Sequence, residues 1–179
     1  MSGTDADASG LPPHIVATEE WLREFVIGLD LCPFAAGPWR AGRVRVAEAR
    51  GGAVEEVLAD LIGEADTLLE GAASTTLLVV PGEVLADFED FLDAVAWAEA
   101  LFEETGHADD LQVVGFHPDY VFGDAEGGAD DPANATNRSP YPMFHLLRRD
   151  EVAKAIAGHP DVEGIPRRNA EVLRGRGEG

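Results

Sequence analysis

Residues 76–80, Thr-Leu-Leu-Val-Val, form an unbroken apolar run that Pro81-Gly82 ends. A run without alternation suits a central strand covered on both faces, as in a sheet sandwiched by helices. Upstream, Val54, Val57, Leu58, Leu61, Ile62, Ala65, Leu68 and Leu69 recur at helical spacing, with Gly71 as the stop. Before them, residues 43–46 alternate with period two and predict a short strand. Downstream, Leu85, Phe88, Phe91, Leu92, Val95 and Leu101 predict a helix closing at Gly106. Residues 111–116 and 143–147 read as two more strands. Asp150 is placed to cap a short helix through Ile156, and Pro166 fits the first turn of a last one. Near the start, Thr18 is expected to cap a helix carrying Trp21, Leu22, Phe25, Val26 and Leu29, which Pro33 stops near Leu31. This alternation predicts a single α/β domain over 15–174, with a mixed or largely parallel sheet of about four strands packed with helices. Residues 1–14 and 175–179 are expected to be a flexible leader and tail.

The chain of 179 residues fits one domain, and its 45% hydrophobic content excludes disorder throughout. Acidic residues outnumber basic ones 34 to 13, for a formal charge of −21. That argues against a nucleic-acid partner, since phosphate contacts need a basic face. The imbalance is uneven: residues 1–131 hold 28 acids and 5 bases (net −23), residues 132–179 hold 6 and 8 (net +2). An anion site would therefore draw on the arginines of the last third. One cysteine excludes an intrachain disulfide and any multi-cysteine zinc cage. No apolar run reaches 18 residues and no signal peptide is evident, so a cytoplasmic protein without a membrane partner is expected. The glycines lack the spacing of a dinucleotide fingerprint or a P-loop, which predicts no nucleotide cofactor. The sequence carries no signature of an oligomeric state.

Four segments together resemble a known family: TEEWLREFVIGLDLCPFA (18–35), TTLLVVP (75–81), VVGFHPDYVF (113–122) and NRSPYPMFHLLRRDEV (137–152). They are similar to the domain-of-unknown-function family catalogued under the number 1415, over roughly residues 17–173. Asp30 stands where that pattern more often has Asn. The resemblance implies no catalytic role for any residue, so chemistry must be argued from side chains.

Residues 117–142 show no helical or strand period, and connections longer than about 12–15 residues are usually functional or disordered. Polar, aromatic ends around a glycine-rich acidic middle predict a functional loop, with 123–132 as a lid. His117 and Asp119 stand two apart, and His145 lies among apolar strand residues. Such a His-x-Asp…His set is the composition of a metal triad with open positions, for which Fe, Zn, Mn or Cu would serve as the divalent transition metal. The structural alternative has His145 bonded to a buried carbonyl and Asp119 closing an Asx-turn. Cys32 is a candidate nucleophile, although the preceding helix C-terminus opposes its thiolate, so it needs a histidine or arginine beside it. Cys-Pro also occurs at haem sites, a poorer fit, and the ordinary alternative is a small buried hydrophobe.

Arg138 and Arg148 flank the Ser-Pro-Tyr-Pro turn, with Asn134, Asn137 and Ser139 as neutral donors for a bound anion. Arg148 has the parity of Phe144 and Leu146, opposite to His145, which favours a cap on the sheet edge instead. For Arg138 the alternative is an ion pair to Asp119 or Asp130. Tyr120 or Tyr141 could supply a proton. The expected function is an enzyme acting on a small anionic or polar metabolite, a metal-dependent oxidoreductase or hydrolase. The alternatives are a Cys32-dependent enzyme, of nucleophile or haem-thiolate type, and a non-catalytic binding module.

Overall fold

The computed structural model describes residues 10–176. Helix α1 (Pro13–Glu20) runs directly into a π-helical segment, Trp21–Ile27, and a short α2 (Ala36–Arg40) follows. Then come β1 (Val44–Glu48), α3 (Val54–Glu70), β2 (Thr75–Val79), α4 (Phe88–Thr105), β3 (Leu111–Phe116), β4 (Met143–Arg148), α5 (Arg149–Ala157) and α6 (Ile165–Arg176). The sheet order is β1-β2-β4-β3. Strand β1 is parallel to β2, while β4 runs antiparallel to both β2 and β3. Thus β1, β2 and β3 share one direction and β4 is threaded backwards between the last two. The mixed α/β domain is the one the alternation of elements predicts.

Side-chain alternation divides the sheet into two faces. Leu78, Phe144, Leu146 and Val113 face α3 and α4, in a core with Val57, Leu61, Ala65 and Leu68 of α3 and Phe91, Ala94, Ala98 and Phe102 of α4. Each large apolar side chain fully buried there contributes roughly 1.5–3 kcal/mol. Leu77, Met143, Val44, Val46 and Phe116 face the other way, under the π-helical segment and α2. Helix α4 is fixed at both ends. Asp87 accepts N–H bonds from Glu89 and Asp90 at 2.9 and 3.1 Å, and Gly106 ends the helix at φ 81°. Gly115 lets α4 approach β3, because a Cβ there would lie 2.9 Å from Phe91 and Val95.

Three local expectations are corrected. Thr18 lies inside α1, its hydroxyl donating to the His14 carbonyl at 2.7 Å, because Pro13 opens the helix earlier. Residues 13 and 14 of the expected leader are therefore helical; residues 1–9, and 177–179 of the expected tail, lie outside the described residues. Second, residues 117–142 are not structureless. They hold two 3-10 turns, Gly128–Asp130 and Pro132–Thr136, around the fully buried Asn134. The Asn134 amide donates to Gly128 O at 2.7 Å and accepts from Phe122 N–H at 2.9 Å. Third, Asp150 sits in the first turn of α5, whose N-cap is Arg148.

Asp30 takes φ 53°, the left-handed region that Asn and Asp tolerate better than other side chains, and its carboxylate accepts from Arg168 at 3.0 Å. The departure from Asn therefore keeps the backbone conformation and adds an ion pair. Among the described residues no helix is long and apolar enough to cross a membrane.

Candidate functional site

A cavity of about 340 Å³ lies on the sheet face opposite α3 and α4. Its floor is the inward row of three strands: Thr75 and Leu77 of β2, His145 and Leu147 of β4, and Gln112, Val114 and Phe116 of β3. The register makes this row continuous, since Leu77 and Val114 both pair with His145, and Thr75 and Gln112 both pair with Leu147. The π-helical segment supplies Trp21, Leu22 and Val26 as one wall, and Cys32, Phe34 and Ala35 continue it toward α2. Glu151, Val152 and Ala155 of α5 form the far wall. Helical winding with a π-type repeat recurs at functional sites, and here it supports the pocket wall.

His145 stands in the middle of this apolar floor. Its Nε2 lies 2.7 Å from Thr75 Oγ1, and the same hydroxyl lies 2.6 Å from the Leu146 carbonyl oxygen. A carbonyl oxygen can only accept, so the Thr75 proton is committed to Leu146. Thr75 Oγ1 therefore accepts from the ring, and Nε2 carries the hydrogen. Nδ1 is left as a bare acceptor, since the bond to Thr75 engages only Nε2 of the ring. Burial pushes the ring down to about 4, so it is neutral at pH 7.

Cys32 borders the same cavity. Burial pushes its thiol up, outweighing the N–H groups of Phe34 and Ala35 that favour the thiolate, and the nearby Asp30 charge raises it further. A neutral imidazole and a half-buried thiol are the opposite of the imidazolium–thiolate pair that a cysteine nucleophile uses. Sequence reasoning saw Cys32 only at the end of one helix. In the fold its neighbourhood also includes the entry to the next.

The expected metal triad is not assembled. His117 lies on the other face, fully buried against Phe88 and Phe91. Its Nδ1 accepts from Asp119 N–H at 3.0 Å, and its Nε2 donates to Leu85 O at 3.1 Å, so both ring nitrogens are engaged. His145 occupies the opposite side of the sheet, because β4 faces the pocket at that position. Among the described residues no three His, Cys, Asp or Glu side chains come close enough to hold a metal ion. The physical reason is strand parity: His117 follows Val113 and Gly115 toward α4, whereas His145 pairs with Leu77 and Val114 on the cavity face.

The expected anion cluster is likewise structural. Arg138 donates from Nε to Tyr120 O at 3.0 Å and from Nη2 to Ala129 O at 2.8 Å, stapling the loop through carbonyls instead of through Asp119 or Asp130. Asn137 donates weakly to Gly115 O at 3.5 Å, and the Ser139 hydroxyl donates to Tyr141 O at 2.6 Å. Tyr120 packs on Phe88 and Phe122, and Tyr141 meets the His14 ring edge-on at 6.0 Å. None of Tyr120, Asn134, Asn137, Arg138, Ser139 or Tyr141 borders the cavity. Arg148 does reach its rim, but its guanidinium donates to Ala73 O and Gly71 O at 3.1 Å each and to Leu68 O, closing the C-terminal end of α3. That is the edge-capping role its parity suggested. Loop 123–132 covers no part of the cavity.

Thr75, Trp21 and Val152 are pocket residues that sequence reasoning did not single out. Trp21 was visible as part of a stripe; Thr75 gave no signal, because its partner is set by cross-strand register.

The fold and cavity define a class: a four-stranded mixed α/β domain with a small apolar pocket on one sheet face and a single histidine in its floor. The chain belongs to the family described as protein of unknown function (DUF1415), whose model matches residues 14–179. No curated protein and no solved structure matches it.

Proposed function

We propose that the chain binds a small, mainly apolar molecule in the cavity between the sheet and the π-helical segment, with His145 as its polar contact. The observation that carries this reading is the shape and chemistry of the cavity. At about 340 Å³ it falls within the range of about 300–1,000 Å³ typical of ligand sites, and its lining is apolar except for a few groups. His145 is a half-buried imidazole whose ring is oriented by the Thr75–Leu146 relay, which leaves its Nδ1 acceptor unused. Arg138 and Arg148, the arginines expected to hold an anionic metabolite, are committed to carbonyls. A Cys32-dependent reaction remains the second reading, because Cys32 and His145 border one cavity; it requires a ligand that lowers the thiol pKa on binding. The charge of −21 supports a small-molecule partner over nucleic acid, and a free cysteine fits the reducing cytoplasm.

The test uses Ala155, which faces the cavity from α5. A panel of mono- and bicyclic aromatics should raise the melting temperature and alter Trp21 fluorescence. Ala155→Phe fills the cavity and should weaken binding by roughly tenfold or more while leaving the circular dichroism unchanged. Binding that is indifferent to this substitution would move the ligand site elsewhere.

A further inference from the structure

We propose that this cavity selects neutral hydrogen-bond donors, an apolar body carrying a hydroxyl, over the matching ether and the matching carboxylate. The inference rests on the cavity being the ligand site, and it follows from the direction of one chain of hydrogen bonds. The Leu146 carbonyl has no proton, so the 2.6 Å contact fixes the Thr75 hydrogen. The 2.7 Å contact then fixes the hydrogen on Nε2, and Nδ1 presents only a lone pair. An ether offers no donor to it and leaves it unpaired, which costs the desolvation of a buried acceptor. A carboxylate meets a lone pair instead of a proton, and burial keeps the ring from supplying one.

The charged groups around the cavity disfavour an anion, and the unpaired donors among its lining residues, the Trp21 indole N–H and the Ser74 hydroxyl, are groups from which the oxygen of a ligand hydroxyl can accept. Glu151 is a carboxylate on the α5 wall, 3.6 Å from Arg43. Arg148, the cation on the rim, is spent on three α3-end carbonyls. Cys32 is held as a thiol. Nothing in this set offers a free positive charge to an anion, and the apolar floor around His145 makes an unpaired charge expensive.

The experiment is calorimetric titration of the full chain at pH 7 with 2-naphthol, 2-methoxynaphthalene and 2-naphthoate. These share a bicyclic body and differ in one group. Naphthol should bind roughly tenfold tighter than the methyl ether, with naphthoate weakest of the three. In His145→Phe the naphthol and ether affinities should converge to within about twofold. Thr75→Val removes the group that orients the ring, so either nitrogen can carry the hydrogen; the preference should narrow there as well, through a gain for the ether. Equal affinities for naphthol and ether in the parent, or naphthoate binding tightest, would overturn the selectivity and leave the pocket standing. Retention of the full preference in Thr75→Val would overturn the tautomer argument even if His145→Phe does not fold. Failure of all three compounds to bind would remove the pocket reading and the inference with it.

Discussion

His145 couples the pocket to the stability of the fold. In the unfolded chain its imidazole has the ordinary value of 6.5, and burial lowers it to about 4 in the fold. Between those values the unfolded chain holds a proton that the folded chain refuses, so stability rises with pH across the window and falls as pH drops through it. Fully developed below pH 4, the loss is about 3 kcal/mol. Urea unfolding of the parent should therefore weaken from pH 7 to pH 4, and the slope should flatten in His145→Phe. An equal slope in both would assign the acid sensitivity to other groups. The sequence marked His145 as a misfit in an apolar strand, because a titratable side chain stands among Met143, Phe144, Leu146 and Leu147. It could not mark Thr75, a common residue at a strand start, since the Thr75–His145 contact joins positions 70 apart. His117 misled for a related reason: spacing suggested a shared face with Asp119, while the backbone turned and placed Asp119 N–H on the ring.

At the scale of elements, the long connection from β3 to β4 is the feature the topology does not require. Phe116 pairs with Met143, so a tight turn would join those strands. The insertion is held instead by α6: Arg174 donates from Nη2 and Nε to the two oxygens of Asp131, at 2.9 and 3.3 Å. That bond and the Ala133 N–H hold the Asp131 carboxyl down at about 2. Its contribution is present above the ordinary aspartate value of 3.8 and is lost as pH falls through about 2. Arg174→Met should speed amide exchange across 128–136 and lower the melting temperature by a few degrees. Pocket affinity should be unchanged, because no residue of the insertion borders the cavity. A large loss of affinity would show instead that the insertion governs the site as a lid. Hydrophobic period made α3 and α4 legible, since each buries one stripe against the sheet, and β2 was legible as an unbroken apolar run buried on both faces. The insertion was legible only as a gap in that period, because its order comes from side chains such as Asn134 and Asp131 bonding to backbone groups, which leave no repeat.

Across the whole molecule, the charge asymmetry reads as stapling rather than as an anion site. Arg168 reaches back to Asp30, Arg174 to Asp131, and Arg43 meets Glu151. Arg148 and Arg149 close backbone carbonyls at the end of α3 and around Ala108 and Leu111, and Arg138 does so within the insertion. Most cations of the last third are thereby tied to specific partners, and the chain as a whole carries a net excess of 21 negative charges. Salt acts on this balance in two directions. It weakens exposed ion pairs, each contributing about 0–1 kcal/mol. It also screens the mutual repulsion of the excess carboxylates, which acts over distances beyond the roughly 10 Å Debye length at 0.1 M. Bonds from arginine to backbone carbonyls are short-range and partly buried, so screening touches them least. Repulsion should therefore dominate the response, and the melting temperature at pH 7 should rise by several degrees between about 0.01 and 0.5 M sodium chloride. The rise should level off once the Debye length falls below the spacing of neighbouring carboxylates. A melting temperature that falls with salt would mean that the staples, especially Arg168–Asp30 and Arg174–Asp131, contribute more than the excess charge removes. The variant Arg174→Met separates the two contributions, since it deletes one staple and makes the net charge more negative. Its melting temperature should climb more steeply with salt than that of the parent.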